Sequence, residues 1–335
     1  MSERFSLEVT DLVKHFSVGG GLLRRPRMVR AVDGVSFAIG RGETLGLVGE
    51  SGCGKSTVSR VVLKLLEPTS GRILLGGVDV TPFRPGAMWP HRRRIQIVFQ
   101  DPYSSLNPRL SAGAIVGEPL ENFGIAAGKE KDERVARLFE RVGLHAEDTR
   151  KYPHEFSGGQ RQRLGIAKAL SVNPDVIVAD EPVSALDVSV RAQVLNLLID
   201  LQDEYRLSYL FISHDLAVMR HVSHRIAVMY LGRIVEFTDK RTLFSQPLHP
   251  YTEALLSAAP VPDPAKKKSR RVVLQGEVPS ALQPPSGCHF HPRCPYALPA
   301  CRSTDPPLIE VAPGHHVACL RRPPGGDPAP LTPSQ

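Results

Sequence analysis

Gly49-Glu50-Ser51-Gly52-Cys53-Gly54-Lys55-Ser56-Thr57 matches the pattern G-x-x-x-x-G-K-[ST], and each fixed position has a physical task. The glycines let the backbone turn tightly, so that successive N–H groups converge on phosphate oxygens. Lys55 carries a cation to the β- and γ-phosphates, and the Ser56 hydroxyl is a ligand for Mg²⁺. The flanks agree. Thr44-Leu45-Gly46-Leu47-Val48 reads as a buried strand, and Val58, Val61, Val62, Leu65 and Leu66 follow at helical spacing. A helix starting there turns its positive dipole end toward the anion. Strand, loop and helix together predict an α/β fold with a nucleoside triphosphate site.

Downstream, residues 175–181 read as a buried parallel strand ending in Asp180 and Glu181. Carboxylates just beyond such a strand lie on the edge where open α/β sheets bind ligands. Asp180 is placed to hold Mg²⁺, directly or through water, and Glu181 to polarise a water for attack on the γ-phosphate. An amphipathic helix bearing Val190, Val194, Leu197, Leu198 and Leu201 follows. The strand Tyr209–Ser213 then delivers His214 and Asp215 to the same edge, where His214 reads as a γ-phosphate contact. Between loop and carboxylates, Ser157-Gly158-Gly159-Gln160 opens a helix running through Leu170. That start is a second candidate anion site, although serine is also an ordinary helix cap.

The remaining segments are read more coarsely. Leu7–Val9 and Val35–Ile39 alternate as strands around an exposed Gly- and Arg-rich loop, Gly19–Arg30. Phe16, just before that loop, reads equally as an adenine-stacking ring and as a core aromatic. Gly71–Gly77 suggests a hairpin, and Arg94–Phe99 a strand ending at Gln100-Asp101-Pro102. After Asn107-Pro108, Val135, Leu138, Phe139 and Val142 recur with helical period.

The chain has 335 residues, 41% hydrophobic, enough for one large domain with an appendage or for two domains. Glu3, Glu8 and Asp11 interrupt any apolar run at the N-terminus, so no secretory signal is expected. No segment approaches the roughly 18 consecutive apolar residues of a membrane span, and a soluble, cytoplasmic protein is expected. The net charge of +8 gathers at Arg24–Arg27, Arg92–Arg94 and Lys266–Arg271. Each cluster reads as a nucleic-acid or anionic-membrane contact, or as a solvated basic face.

Of five cysteines, Cys53 lies inside the loop, while Cys288, Cys294, Cys301 and Cys319 crowd into a proline-rich tail. That tail has little apolar content, so a cross-link from metal ligation is physically reasonable. Four thiols suit tetrahedral Zn²⁺ or an iron–sulfur cluster, and the spacing matches neither C-x₂-C zinc modules nor the bacterial ferredoxin run. His289, His291, His315 and His316 are alternative ligands, and four unligated thiols are the remaining reading.

Taken in order, these parts resemble an ATP-binding-cassette ATPase from about residue 7 to residue 320. The resemblance assigns Phe16 to adenine stacking, residues 49–57 to the phosphates and Gln100 to the Gln-loop, a further Mg²⁺ contact. It assigns Ser157–Gln160 to the signature, Asp180-Glu181 to Walker B with its catalytic base, Asp187 to the dimer loop and His214 to the switch histidine. Phe156 stands where the broad family usually has Leu. The implied fold is a RecA-like core with an antiparallel β subdomain and a helical subdomain at about 101–170. The cassette would fill residues 1–245, followed by a cysteine-rich C-terminal extension over 246–335.

Gln100–Arg109, Tyr152–Arg163 and His249-Pro250-Tyr251-Thr252 are similar to the oligopeptide/dipeptide importers, in particular their F-type ATPase subunit. What that implies is ATP-driven peptide import, with glutathione or a metal chelate such as nickel as alternative cargo within the same branch. Two cassettes would stack head to tail, each ATP lying between one phosphate loop and the partner's signature. The implied partners are a second, D-type ATPase subunit, two membrane permease subunits and, indirectly, an extracytoplasmic peptide-binding protein, with no nucleic acid. The implied location is peripheral, on the cytoplasmic face of the inner membrane. Some importer ATPases carry a [4Fe–4S] cluster in this tail, which favours iron–sulfur over Zn²⁺ at the four cysteines. A chromosome or repair ATPase would need a long coiled-coil insertion, and only about a hundred residues without sustained heptads separate loop and signature. A translation-associated cassette protein usually carries two cassettes in one chain; one is found here.

Overall fold

The computed structural model describes residues 5–19, 27–101, 106–258 and 276–325. Arg24 and Arg25, Pro102–Ser105 and the basic run Lys266–Arg271 lie outside those residues. In chain order the strands are β1 (Phe5–Val18), β2 (Arg27–Gly40), β3 (Thr44–Val48), β4 (Ser70–Leu75), β5 (Val78–Asp79), β6 (Ile95–Val98), β7 (Val176–Asp180), β8 (Ser208–Ser213), β9 (Arg225–Tyr230), β10 (Arg233–Asp239), β11 (Ile309–Ala312) and β12 (His315–Val317). Four of them form an antiparallel sheet in the order β2-β1-β4-β5, and eight form a second sheet in the order β11-β12-β10-β9-β3-β8-β7-β6.

The larger sheet explains where the chemistry gathers. β3, β8 and β7 are parallel neighbours, with Val48 in register with Ser213 and Asp180 with Ile212. All three strands therefore deliver their following residues to one edge. Every residue of β3 and β8 is buried, as expected of a parallel strand covered on both faces.

Helix α1 (Lys55–Val62) leaves the phosphate loop and packs Val58, Val61 and Val62 between the two sheets. The apolar period runs on to Leu66, but the helix stops short. Lys64 takes a left-handed φ of +53°, and its buried ammonium donates to the Thr81 carbonyl at 2.8 Å. Leu65 is left 50% exposed, so helical spacing alone overstated this helix. The predicted hairpin is β4–β5, turned by Gly76 and Gly77.

After α2 (Pro85–Arg92), a helical layer is inserted between β6 and β7. It consists of α3 (Ala112–Asn122), α4 (Gly128–Arg141) and α5 (Gly158–Leu170), and Ile115, Val116, Leu120, Val135, Phe139 and Leu164 form its core. Helices α6 (Val188–Tyr205), α7 (Leu216–Val222), α8 (Lys240–Ser245) and α9 (Pro250–Ala258) complete the set described. Among the described residues no helix is long and apolar enough to cross a membrane.

Among the described residues, the chain after residue 245 does not form a sheet of its own. β12 pairs with β10 through Glu236↔Val317 and Phe237↔His316, and β11 pairs with β12, so the tail extends the central sheet. A fully buried carboxylate sits at that junction. Glu236 accepts the N–H groups of Leu248 and His249 at 2.7 and 2.9 Å and meets His315 Nε2 at 2.7 Å.

Candidate nucleotide-binding site

The phosphate loop is shaped by glycines that tolerate no side chain. A Cβ on Gly49 would lie 2.2 Å from the Met229 carbonyl oxygen, and one on Gly54 would lie 2.1 Å from that of Ala31. Gly54 also takes φ +112° at the start of α1, a conformation L side chains avoid. Lys55 folds over the loop it follows, its ammonium donating to the carbonyls of Gly49 at 2.7 Å and Glu50 at 3.0 Å. Cys53 points into the protein instead: it is 4% exposed, and its Sγ is 3.8 Å from Lys55 Nζ.

A cleft of about 640 Å³ opens on the loop. Gly49–Gly52 and Gly54–Thr57 line it together with Gln100, Glu181 and His214. Residues from four separate stretches of chain thus face one volume. His214 Nδ1 lies 3.1 Å from Glu181 Oε1. Glu181 itself holds φ +48°, and its N–H donates to the Ile212 carbonyl at 2.9 Å, tying it to β8. A left-handed backbone at a non-glycine residue costs free energy and persists where its surroundings impose it.

Asp180 stands behind the loop. Its carboxylate accepts from Ser56 Oγ at 3.4 Å and from Ser59 Oγ at 3.0 Å. Burial pushes this carboxyl above the ordinary carboxylate range, against the pull of the two hydroxyls. Its oxygens and the Ser56 hydroxyl are hard donors, the chemistry Mg²⁺ takes.

The other predicted residues stand apart from this cleft. Ser157 caps α5, its Oγ accepting from the Gln160 N–H at 3.3 Å while Gln160 Oε1 accepts from the Ser157 N–H at 2.9 Å. Ser157, Gly158 and Gln160 are exposed; Gly159 is buried against Val190 of α6. Asp187, at the start of α6, is exposed and makes no capping hydrogen bond with its side chain. Phe156 is 3% exposed within the core of the helical layer, so an aromatic there packs as Leu would. Phe16 is half-buried and does not line the cleft; the Lys14 ammonium sits 5.0 Å from its ring centroid. Its register partner Val29 does line it.

Three participants escaped sequence reasoning. Ser59 lies three residues after Ser56 on the same helix face, a signal that helical spacing could have supplied. Tyr251 Oη accepts the Glu50 N–H at 2.8 Å, and Arg293 donates to both Glu50 carboxylate oxygens at 2.7 and 3.1 Å. Across 243 residues no local pattern announces the Arg293 contact.

The metal centre expected in the tail is not formed as a chelating group. Among the described residues no three His, Cys, Asp or Glu side chains make a set that could hold a metal ion. Cys288, Cys294, Cys301 and Cys319 come within reach of one another's charge. Burial pushes the Cys288 thiol up to about 11 and the Cys294 thiol up to about 12. His291 Nδ1 is 2.9 Å from the Cys288 carbonyl oxygen and His315 is bound to Glu236, so neither is turned to the sulfurs.

Comparison with known proteins agrees with this geometry. Residues 32–184 match the ABC transporter family, and residues 235–301 match the oligopeptide/dipeptide transporter C-terminal region. A probable peptide ABC transporter ATP-binding protein of Sinorhizobium fredii is 55% identical over 319 residues, 95% of this chain and 90% of that protein. The oligopeptide transport ATP-binding protein AppF of Bacillus subtilis is 53% identical over 316 residues, 93% of this chain and 96% of that protein. Among solved structures, a dimeric post-hydrolysis state of the ATP-binding cassette MJ0796 bound to ADP and Pi aligns with a TM-score of 0.63 and 28% identity, over 70% of this chain and 99% of that one. These matches place this chain in the ABC transporter ATPase family, in the branch that carries the oligopeptide/dipeptide transporter C-terminal region.

Proposed function

We propose that this chain binds and hydrolyses ATP to power import of di- or oligopeptides through a membrane ABC transporter. The observation that carries the reading is the single cleft into which Lys55, Gln100, Glu181 and His214 all face. Lys55 and the loop N–H groups neutralise the triphosphate; Ser56 and Asp180, with Gln100 at the cleft edge, would hold a Mg²⁺ ion, which would add charge stabilisation to the phosphates. Glu181 takes the proton of the attacking water, and His214 orients that carboxylate and contacts the γ-phosphate. Phe16, which does not line the cleft itself but pairs with Val29 that does, supplies the adenine contact.

Ser157, Gly158, Gln160 and Asp187 stand outside the cleft and exposed, which supports an assembly in which a second cassette completes each site. A helix start of this kind offers N–H donors to a partner's ATP. The partner is a related D-type ATPase subunit, this chain being the F-type; both lie peripherally on the cytoplasmic face of the inner membrane against two membrane-spanning permease subunits, with a peptide-binding protein outside. Peptide cargo is favoured over glutathione or a nickel chelate by the names of the relatives. Co-purification from membranes tests this: recovery of a soluble monomer with full, uncoupled ATPase activity overturns it.

For the tail, a [4Fe–4S] cluster with a structural role is the finer reading. It is supported by backbone N–H groups that point at the sulfurs: Phe290 and His291 to Cys288, Tyr296 to Cys294, Leu298 to Cys301 and Arg321 to Cys319. Such donors favour sulfur anions. Anaerobically purified protein should contain iron and sulfide at roughly four each per chain; absence of both overturns the reading.

A further inference from the structure

The tail and the phosphate loop meet at one residue. Glu50 is held on three sides: its N–H donates to Tyr251 Oη at 2.8 Å, its carboxylate accepts two bonds from Arg293, and its carbonyl accepts from Lys55 Nζ at 3.0 Å. The first of these fixes a peptide plane. The N–H of Glu50 and the carbonyl of Gly49 belong to one trans peptide and point in opposite directions. With the N–H anchored on Tyr251, the Gly49 carbonyl is turned to Lys55 Nζ at 2.7 Å.

The holders are themselves immobilised. Tyr251 is fully buried, its ring 4.7 Å from that of Tyr230 and 5.5 Å from that of Phe290, and burial keeps its hydroxyl neutral by pushing its pKa up. Arg293 is 9% exposed, lies 5.9 Å from the Tyr230 ring centroid and is flanked in sequence by Cys294.

Charge gives the arrangement its purpose. A carboxylate inside a phosphate-binding loop repels a triphosphate a few ångströms away. A guanidinium that engages both of its oxygens cancels that charge and fixes its direction, which a lysine ammonium cannot do. We propose that Arg293 and Tyr251 are positioning residues of the nucleotide site: acting through Glu50, they neutralise the loop's own carboxylate and set the backbone on which Lys55 rests. The C-terminal extension is thereby a working part of ATP binding. This rests on the nucleotide-site reading above.

The test is equilibrium binding of ATP to the purified full chain, in competition with a fluorescent ATP analogue. Arg293→Ala should weaken ATP binding about ten-fold, within the usual range of coupling between sites. Arg293→Lys should recover only part of that loss. Adding Glu50→Gln to Arg293→Ala should restore affinity to within a few-fold, because the uncompensated charge is gone. A merely structural role predicts no such rescue, so a loss that Glu50→Gln does not repair overturns the proposal, as does an Arg293→Ala chain that binds ATP like the parent. Should Arg293→Ala fail to fold, Tyr251→Phe decides: it should bind ATP several-fold more weakly, and unchanged affinity overturns the proposal. Lys55→Ala separates the two levels. A parent chain that binds ATP no better than Lys55→Ala sinks the nucleotide site itself.

Discussion

His214 Nδ1 and Glu181 Oε1 stand 3.1 Å apart at the mouth of the cleft, delivered there by adjacent parallel strands, β8 and β7. The pairing orients the carboxylate, and general-base catalysis contributes about 10²–10⁴-fold. Glu181→Gln should therefore lower ATP turnover by at least about 100-fold in the assembled transporter while leaving ATP binding intact. Near-normal turnover in that variant would remove Glu181 from the role.

Ser59 Oγ holds the second oxygen of Asp180, leaving the first to Ser56. Ser59→Ala leaves a partly buried carboxylate oxygen without its donor, a loss of about 1.5–3 kcal/mol for a bond to a charged group. The Mg²⁺ concentration that gives half-maximal ATPase activity should rise about ten-fold, by the same arithmetic. A Mg²⁺ titration that superimposes on the parent's would show that Ser59 serves packing alone.

Gly158 and Gly159, at the start of α5, differ physically. A Cβ on Gly159 would lie 2.3 Å from Val190 Cγ1, whereas one on Gly158 meets nothing nearer than Leu186 Cδ2 at 3.8 Å. Gly159→Ala should destabilise the chain by about 1–3 kcal/mol through overpacking between α5 and α6. Gly158→Ala should change stability by less than about 1 kcal/mol. Thermal melts of the purified variants compare the two, and adding Val190→Ala should relieve the Gly159 variant only.

Burial lowers the His249 pKa to about 4, against the opposing pull of Glu236, and His249 Nδ1 accepts the Tyr251 N–H at 3.1 Å. The unfolded chain takes up a proton near pH 6.5 and the folded chain refuses it until much lower pH. Stability is therefore complete above about pH 6.5 and declines as pH falls toward 4, by up to about 3 kcal/mol from this residue. Urea unfolding at a series of pH values should show that slope, and His249→Gln should flatten it. An identical slope in both chains would show that His249 is not the source of the acid sensitivity.

Sequence alone determined the parts of the fold whose cause is local. Leu45–Val48 and Val176–Ala179 are continuous apolar runs because both faces of a parallel strand are covered, and Gly54 is a glycine because the start of α1 needs a positive φ. Residue type and spacing also named Lys55, Ser56, Asp180, Glu181 and His214, whose chemistry needs those groups in that order. Tertiary structure decided what lies together. Only the sheet order brings Glu181 to His214, and only packing sends Phe16, Ser157 and Asp187 away from the cleft that the loop lines. The end of α1 at Val62 was hidden because the apolar period continues past it while Lys64 turns left-handed for a tertiary contact. Arg293 was hidden for a plainer reason. An ion pair between side chains 243 residues apart leaves no period, cap or spacing in the sequence, and exists only because β11 and β12 dock the tail beside the loop.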